Sequence, residues 1–194
     1  MAKLFFRYGA MNSGKSTALI QVAHNYEERD MSIIIVKPSV DIKGQDTIVS
    51  RLGVQRKVDV LLNKEDDIQQ LVRQKHPRVD CILVDEVQFL TPEQVDQLFY
   101  LVVVDGIPVI CYGLRTDFLL NGFPGSERLL LLAHSIEELK TICRCGKKAV
   151  CNGRTINGRF VFEGEQVAID GEEKIGYESL CGECYMKHRG ENRE

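Results

Sequence analysis

Residues Tyr8–Ile20 read YGAMNSGKSTALI, with Gly9 standing five residues ahead of Gly14-Lys15-Ser16. This is the G-x-x-x-x-G-K-[ST] spacing of a loop whose backbone N–H groups cradle phosphates. The spacing alone arises by chance, so its flanks decide. Upstream, Lys3–Tyr8 is a short aromatic-rich run stopped by glycine, the pattern of a buried strand. Downstream, Ala18, Leu19, Val22, Ala23 and Tyr26 recur at helical spacing, predicting a helix from Lys15 to about Arg29. Strand, loop and helix in register predict a phosphate site made by Gly9, Ala10, Met11, Asn12, Ser13, Gly14, Lys15 and Ser16. Lys15 would reach the terminal phosphates, Ser16 would ligate magnesium, and the helix N-terminus would favour the negative charge.

Working outward, SIIIVK (32–37), DCILVDE (80–86) and IPVICYG (107–113) read as further buried strands. KEDDIQQLVRQKH (64–76) starts acidic and ends basic, as a helix dipole prefers. Thr91 caps a third helix with Pro92 at its first position, and GSERLLLLAH (125–134) opens another. DIKGQDTIVSRLG (41–53) has no clear period and reads as a loop. Strands alternating with helices over residues 1–140 predict an α/β domain of the P-loop NTPase type, a mostly parallel sheet flanked by helices. From Cys143 the text becomes rich in glycine and cysteine, and TINGRFVFE carries an Asn157-Gly158 turn between short strands. A small second module over 141–188 follows, and KHRGENRE (187–194) is a polar end expected to fray, with a flexible tail at 189–194.

Composition sets limits. The chain has 194 residues, enough for one domain and a small appendage, with 44% apolar and 27% charged residues. A net charge of −3 gives no bulk attraction to nucleic acid or to anionic membrane. No apolar run has the length of a membrane span, and the N-terminal stretch is too short for a secretory signal. Seven cysteines without such a signal predict a reducing, cytoplasmic setting, where paired thiols bind metal more often than each other.

Two clusters carry chemistry beyond the loop. CILVDE ends an apolar strand in Asp85, placed to hold magnesium at the carboxyl edge of the sheet, and Glu86 then points elsewhere, able to accept a proton from an attacking hydroxyl. The alternative for Glu86 is a surface carboxylate. Cys143-x-Cys145 and Cys181-x-x-Cys184 offer four thiolates in two pairs, the donor set of tetrahedral structural zinc. Cys151 and His188 compete as ligands, while Cys81 and Cys111 sit in strands as small core residues.

Taken together, GAMNSGKST, SRLG, VDEVQFL, PVICYGLRTDF, ELKTICRCGKKA and GYESLCGECY resemble the type II thymidine kinases, the cytosolic, zinc-containing family, over nearly the whole length. The resemblance implies transfer of the γ-phosphoryl of ATP to the 5′-hydroxyl of thymidine, giving thymidine monophosphate. It also implies a homotetramer and feedback inhibition by thymidine triphosphate. By position, Glu86 resembles the catalytic base and Phe118 the ring that stacks on thymine; Met11, Phe89 and Leu114 would line the base pocket. Tyr177 and the main chain of Gln166, Val167, Ala168, Ile169 and Asp170 resemble a lasso loop closing over the nucleoside, anchored by the four cysteines. One stretch departs: where the family shows Asp-x-Arg and an aromatic residue, this chain has Asp41-Ile42-Lys43-Gly44. Lysine lacks the bidentate fork of arginine, and Arg51 is a candidate substitute.

Two other classes compete. VDEVQF also resembles the Asp-Glu-x-x-Gln segment of some helicases, which would make the chain an ATPase acting on nucleic acid through a zinc contact module. Acidic pI, absent tryptophan and a chain too short for two motor lobes oppose it. A nucleotide-gated zinc adaptor without turnover would leave Glu86 idle. Assaying ATP consumption with thymidine, with single-stranded DNA or with neither separates the three.

Overall fold

The β-branched runs pair with one another in a single parallel sheet. In the computed structural model the described residues are 1–40, 46–50, 53–166 and 174–191. The chain runs β1 (Leu4–Tyr8), α1 (Lys15–Glu27), β2 (Ile33–Pro38), β3 (Thr47–Val49), β4 (Gln55–Lys57), β5 (Val60–Leu62), α2 (Ile68–Lys75) and β6 (Cys81–Val84). After a 3₁₀ turn at Val87–Phe89 come α3 (Pro92–Val103), β7 (Val109–Gly113), α4 (Pro124–Leu132) and β8 (Ser135–Glu138). The main sheet has the order β5-β2-β6-β7-β1-β8, and every pairing in it is parallel.

Period-two alternation sends the strand residues to two cores. Leu4, Phe6, Val36, Ile82 and Val84 pack with α2, α3 and α4, while Ile35, Leu83, Ile110 and Tyr112 pack with Leu19 and Ala23 of α1. Both faces are covered, which is why these strands read as unbroken apolar runs. Thr91 caps α3 as expected, in a full capping box: its hydroxyl accepts from Gln94 N at 3.2 Å, and Gln94 Oε1 accepts from Thr91 N at 3.2 Å. The expected Cys81 and Cys111 core positions are both fully buried. Among the described residues no helix is long and apolar enough to cross a membrane.

Several short strands escaped the sequence reading. Part of the stretch expected as loop is a strand, β3, which pairs antiparallel with β4 beyond it and is seated through Ile48 on the α1 side of the sheet. Each of the two strands has three residues, too few to show a period. Residues 41–45 and 51–52, which hold Asp41, Lys43 and Arg51, lie outside the described residues. The edge strands β5 and β8 are likewise short, and β8 is mostly polar.

The smaller module continues with β9 (Thr141–Ile142), β10 (Lys148–Ala149), β11 (Cys151–Ile156), β12 (Arg159–Val161), β13 (Ile175–Leu180) and α5 (Gly182–Glu191). β11 is central, antiparallel to β12 and β13. The expected Asn157-Gly158 turn joins β11 to β12, both residues at positive φ (50° and 82°) as a tight hairpin requires. The polar C-terminal stretch is helical through Glu191, because α5 buries its own Tyr185 and its His188 stacks on Phe160 at 4.1 Å.

Candidate active site

The phosphate loop leaves β1 under close packing. Gly9 N donates to Gly113 O at 3.3 Å, and a Cβ on Gly9 would lie 2.5 Å from Leu139 O, so only glycine fits. Gly14 is the N-cap of α1 and brings no side-chain cap, so the first-turn N–H groups are left for a ligand. Lys15 turns back into the loop, its Nζ donating to Ala10 O at 3.0 Å and Gly9 O at 3.4 Å. Burial lowers its pKa, against the opposing pull of the Glu86 and Asp85 carboxylates.

Asp85 and Glu86 are neighbours with opposite surroundings. Asp85 is 3% exposed, and its Oδ1 has no hydrogen-bond partner. Burial first, then the charge of Glu86, raise its pKa to about 8, with the Glu86 N–H, Lys15 and Lys37 opposing. An orphaned buried carboxylate oxygen beside a phosphate-loop lysine is the donor that a magnesium–nucleotide complex needs. Lys37, buried at the end of β2, lies next to it across the strand pair. Glu86 has left-handed backbone (φ 49°) and leaves the sheet, where its Oε2 accepts from Gln88 Nε2 at 2.5 Å. Gln88 Oε1 in turn accepts from Leu114 N at 3.0 Å. A Cβ on Gly113 would sit 2.6 Å from that Oε1, so the bridge needs the glycine that ends β7.

The residues expected on the acceptor side are aromatic. Phe118 is 2% exposed, and the Arg154 guanidinium lies 3.7 Å over its ring. Arg154 also donates to Tyr177 OH at 3.1 Å and to the carbonyls of Glu165 and Gln166 at 2.7 and 2.9 Å. The Gln166 carbonyl is thereby taken up by protein, and its side chain bonds Asp117 Oδ2 at 3.1 Å. Gln166 is the first residue of the segment expected to act as a lasso; Val167, Ala168, Ile169 and Asp170 lie outside the described residues. Phe89 meets Phe123 edge to face at 5.7 Å and, with Gln88 and Gln166, borders a cleft of about 410 Å³. That volume suits a ligand of nucleoside size. Leu114 is buried at the end of β7, and its carbonyl accepts from Ser126 Oγ. Met11 belongs to the phosphate loop, and Asn152 and Ser179 of the small module bond its backbone.

The sulfurs of Cys143, Cys145, Cys181 and Cys184 lie within 4.8 Å of one another. Four thiols so close, on two turns of different sequence origin, fit a tetrahedral zinc ion. Cys151 is buried outside this cluster and His188 faces Phe160, so neither competes. Gln88, Arg154, Asn152, Ser179 and Lys37 were not singled out from sequence. Gln88 and Ser179 had a signal, each lying in a segment already marked, two residues from Glu86 and from Cys181; the others stand on strands without a motif.

The family model described as thymidine kinase matches residues 2–185. The thymidine kinase of Chromobacterium violaceum is 49% identical over 95% of this chain and 98% of its own. That of Idiomarina loihiensis is 45% identical over 98% and 99% of the two chains. That of Lactiplantibacillus plantarum is 46% identical over 96% of each. The solved structure of the Pif1 helicase from Candida albicans matches with a TM-score of 0.41 and 13% identity, covering 74% of this chain and 37% of that one, a likeness too slight to bear on fold or function.

Proposed function

The chain belongs to the thymidine kinase family, and we propose that it transfers the γ-phosphoryl group of ATP to the 5′-hydroxyl of thymidine, with Glu86 as general base. The observation that carries this reading is the division of labour between adjacent carboxylates, Asp85 buried near Lys15 with its Oδ1 unpartnered and Glu86 held by Gln88, a residue that borders the aromatic cleft. A passive adaptor leaves the held Glu86 idle, and a nucleic-acid ATPase has no use for a nucleoside-sized aromatic cleft.

In this mechanism the α1 N-terminus and Lys15 hold the β- and γ-phosphates, and Ser16 with Asp85 would hold magnesium. Magnesium, when bound, neutralises charge on the transferring group. Lys15 exchanges its contacts with the loop carbonyls for phosphate oxygens, which strengthens its interactions, since the acceptors become charged. Thymidine is neutral and planar, so the Phe118 face, Met11, Phe89 and Leu114 recognise it by shape, and Tyr177 and the lasso backbone, including Val167–Asp170, supply hydrogen bonds. Glu86 accepts the 5′-hydroxyl proton as the oxygen attacks. A loose transition state asks mainly for such alignment and charge neutralisation. The lasso, anchored by zinc at the four cysteines, would exclude water and limit ATP hydrolysis.

Two finer features belong to the same proposal. Thymidine triphosphate would act as a feedback inhibitor because it carries a thymine for the base pocket and a triphosphate for the loop. Exposed Leu131, Ile136 and Ile142, on the consecutive elements α4, β8 and β9, suit burial between copies in a homotetramer. The free thiols fit a reducing cytoplasm. Incubating the protein with γ-labelled ATP and either thymidine or single-stranded DNA tests the proposal. Labelled thymidine monophosphate supports it, and ATP hydrolysis driven by DNA overturns it.

A further inference from the structure

We propose that the zinc-bearing module sets the conformation of the phosphate loop, with Asn152 and Ser179 acting as a clamp on Met11. This rests on the reading of Gly9–Ser16 as the ATP loop. Both backbone groups of Met11 turn out of their own loop. Its N–H donates to Asn152 Oδ1 at 2.7 Å, and its carbonyl accepts from Ser179 Oγ. Asn152 on β11 and Ser179 on β13 are register partners, directly opposite one another. Two groups on one rigid antiparallel pair therefore grip a single peptide residue from both sides.

The orientation of the Asn152 amide is determined by chemistry. A backbone N–H can bond only its oxygen, so the nitrogen end faces away, and it donates to Thr116 O at 3.0 Å. Thr116 lies two residues before Phe118, so one side chain links the phosphate loop to the loop carrying the acceptor ring. Asn152 is 4% exposed and Ser179 9% exposed, so water does not readily replace either bond. The next loop residue, Asn12, has φ 67°, a left-handed turn that asparagine accommodates. Thr141, at the start of the module, adds a bond to the Asn12 carbonyl at 3.4 Å. Within the loop itself Ser13 N reaches Ala10 O at 3.3 Å, a long contact that leaves the backbone in need of outside support.

Ser179 precedes the ligand Cys181 by two positions, and Asn152 lies on the strand paired with it. Order at the zinc site therefore passes to Met11 and so to the N–H groups that meet phosphate. Asn152 and Ser179 are positioning residues, and the module acts on the ATP side as well as on the lid.

The test uses the full zinc-loaded chain with Asn152→Leu and with Ser179→Ala, titrated calorimetrically with magnesium–ATP, without and with saturating thymidine. Lys15→Met runs beside them. Zinc content should stay at one per chain, and the ATP Kd should rise roughly 3- to 30-fold in each variant, as removal of a buried hydrogen bond to the Met11 backbone implies. Thymidine should tighten ATP binding less in Asn152→Leu than in the unaltered protein, a ratio that a general loss of stability does not change. Unchanged ATP Kd in both variants, with Lys15→Met no longer binding nucleotide, overturns the clamp. Normal ATP binding by Lys15→Met overturns instead the reading of the loop. Should Asn152→Leu fail to fold or to keep zinc, Ser179→Ala, which removes a single hydroxyl, decides.

Discussion

Gln88 holds Glu86 from two residues away: its Nε2 donates to the Glu86 carboxylate at 2.5 Å while its Oε1 accepts from Leu114 N at 3.0 Å. The backbone donor at Leu114 determines which end of the amide faces Glu86, so the carboxylate is aimed by the end of β7 rather than by its own turn.

That relationship gives the first prediction. Glu86→Gln should lower kcat by about 10²–10⁴ with both substrates still bound, the usual contribution of a general base. Gln88→Met should lower kcat by roughly 10- to 100-fold, the range for a hydrogen bond to a charged group. In the double variant the Gln88 change should cost little more. Steady-state kcat over the four proteins measures this, and additive losses would separate Gln88 from the chemical step.

The stack of Arg154 on Phe118 gives the second. Phe118→Ala should weaken thymidine by roughly 1–3 kcal/mol, as loss of base–aromatic stacking does. Arg154→Met should raise the thymidine KM about tenfold by releasing both Phe118 and the Glu165–Gln166 carbonyls. Arg154→Lys should not restore it, because an ammonium cannot stack flat and donate in three directions. A lysine variant with the original KM would contradict that geometry.

Asp85 gives a pH dependence. Its folded pKa, near 8 through burial and the Glu86 charge, lies above the roughly 3.9 of an unfolded aspartate. Between those values the folded chain holds a proton that the unfolded chain lacks, so ligand-free stability should fall as pH rises from about 4 to about 8. Asp85→Asn should flatten this slope and raise stability at pH 8. Urea midpoints across that range provide the measurement, and an unchanged slope would mean that Asp85 ionises freely.

Zinc gives the last prediction. Cys184→Ser should lower metal content, because a thiolate ligand is removed from a four-sulfur cluster. Tyr185, next in sequence, donates its hydroxyl to Phe118 O at 2.8 Å, so the acceptor ring should lose its support and the thymidine KM should rise. Metal analysis alongside KM values checks both, and full zinc occupancy in this variant would remove Cys184 from the ligand set.

The sequence by itself determined the α/β fold, the strand–loop–helix unit around Gly9–Ser16, the pair Asp85–Glu86 at the end of a buried strand and the cysteine quartet. Each rests on local information: apolar runs of strand length, a loop spacing bound to one backbone geometry, and close cysteine pairs. The short strands β3, β5 and β8 were illegible for the converse reason. Three or four residues, partly polar, carry no period, and these strands exist because a neighbouring strand offers them hydrogen bonds.

Tertiary structure alone decided which groups work on which. Arg154 reaches Phe118 across 36 positions of chain, and Asn152 reaches Met11 across 141. Neither has a motif, since a lone arginine or asparagine on a strand is read first as a surface residue. What gives them their roles is burial: once water is excluded, an N–H or carbonyl must find a protein partner. That requirement is met by whatever side chain the fold brings near, and nearness in space is the one property that residue order does not display.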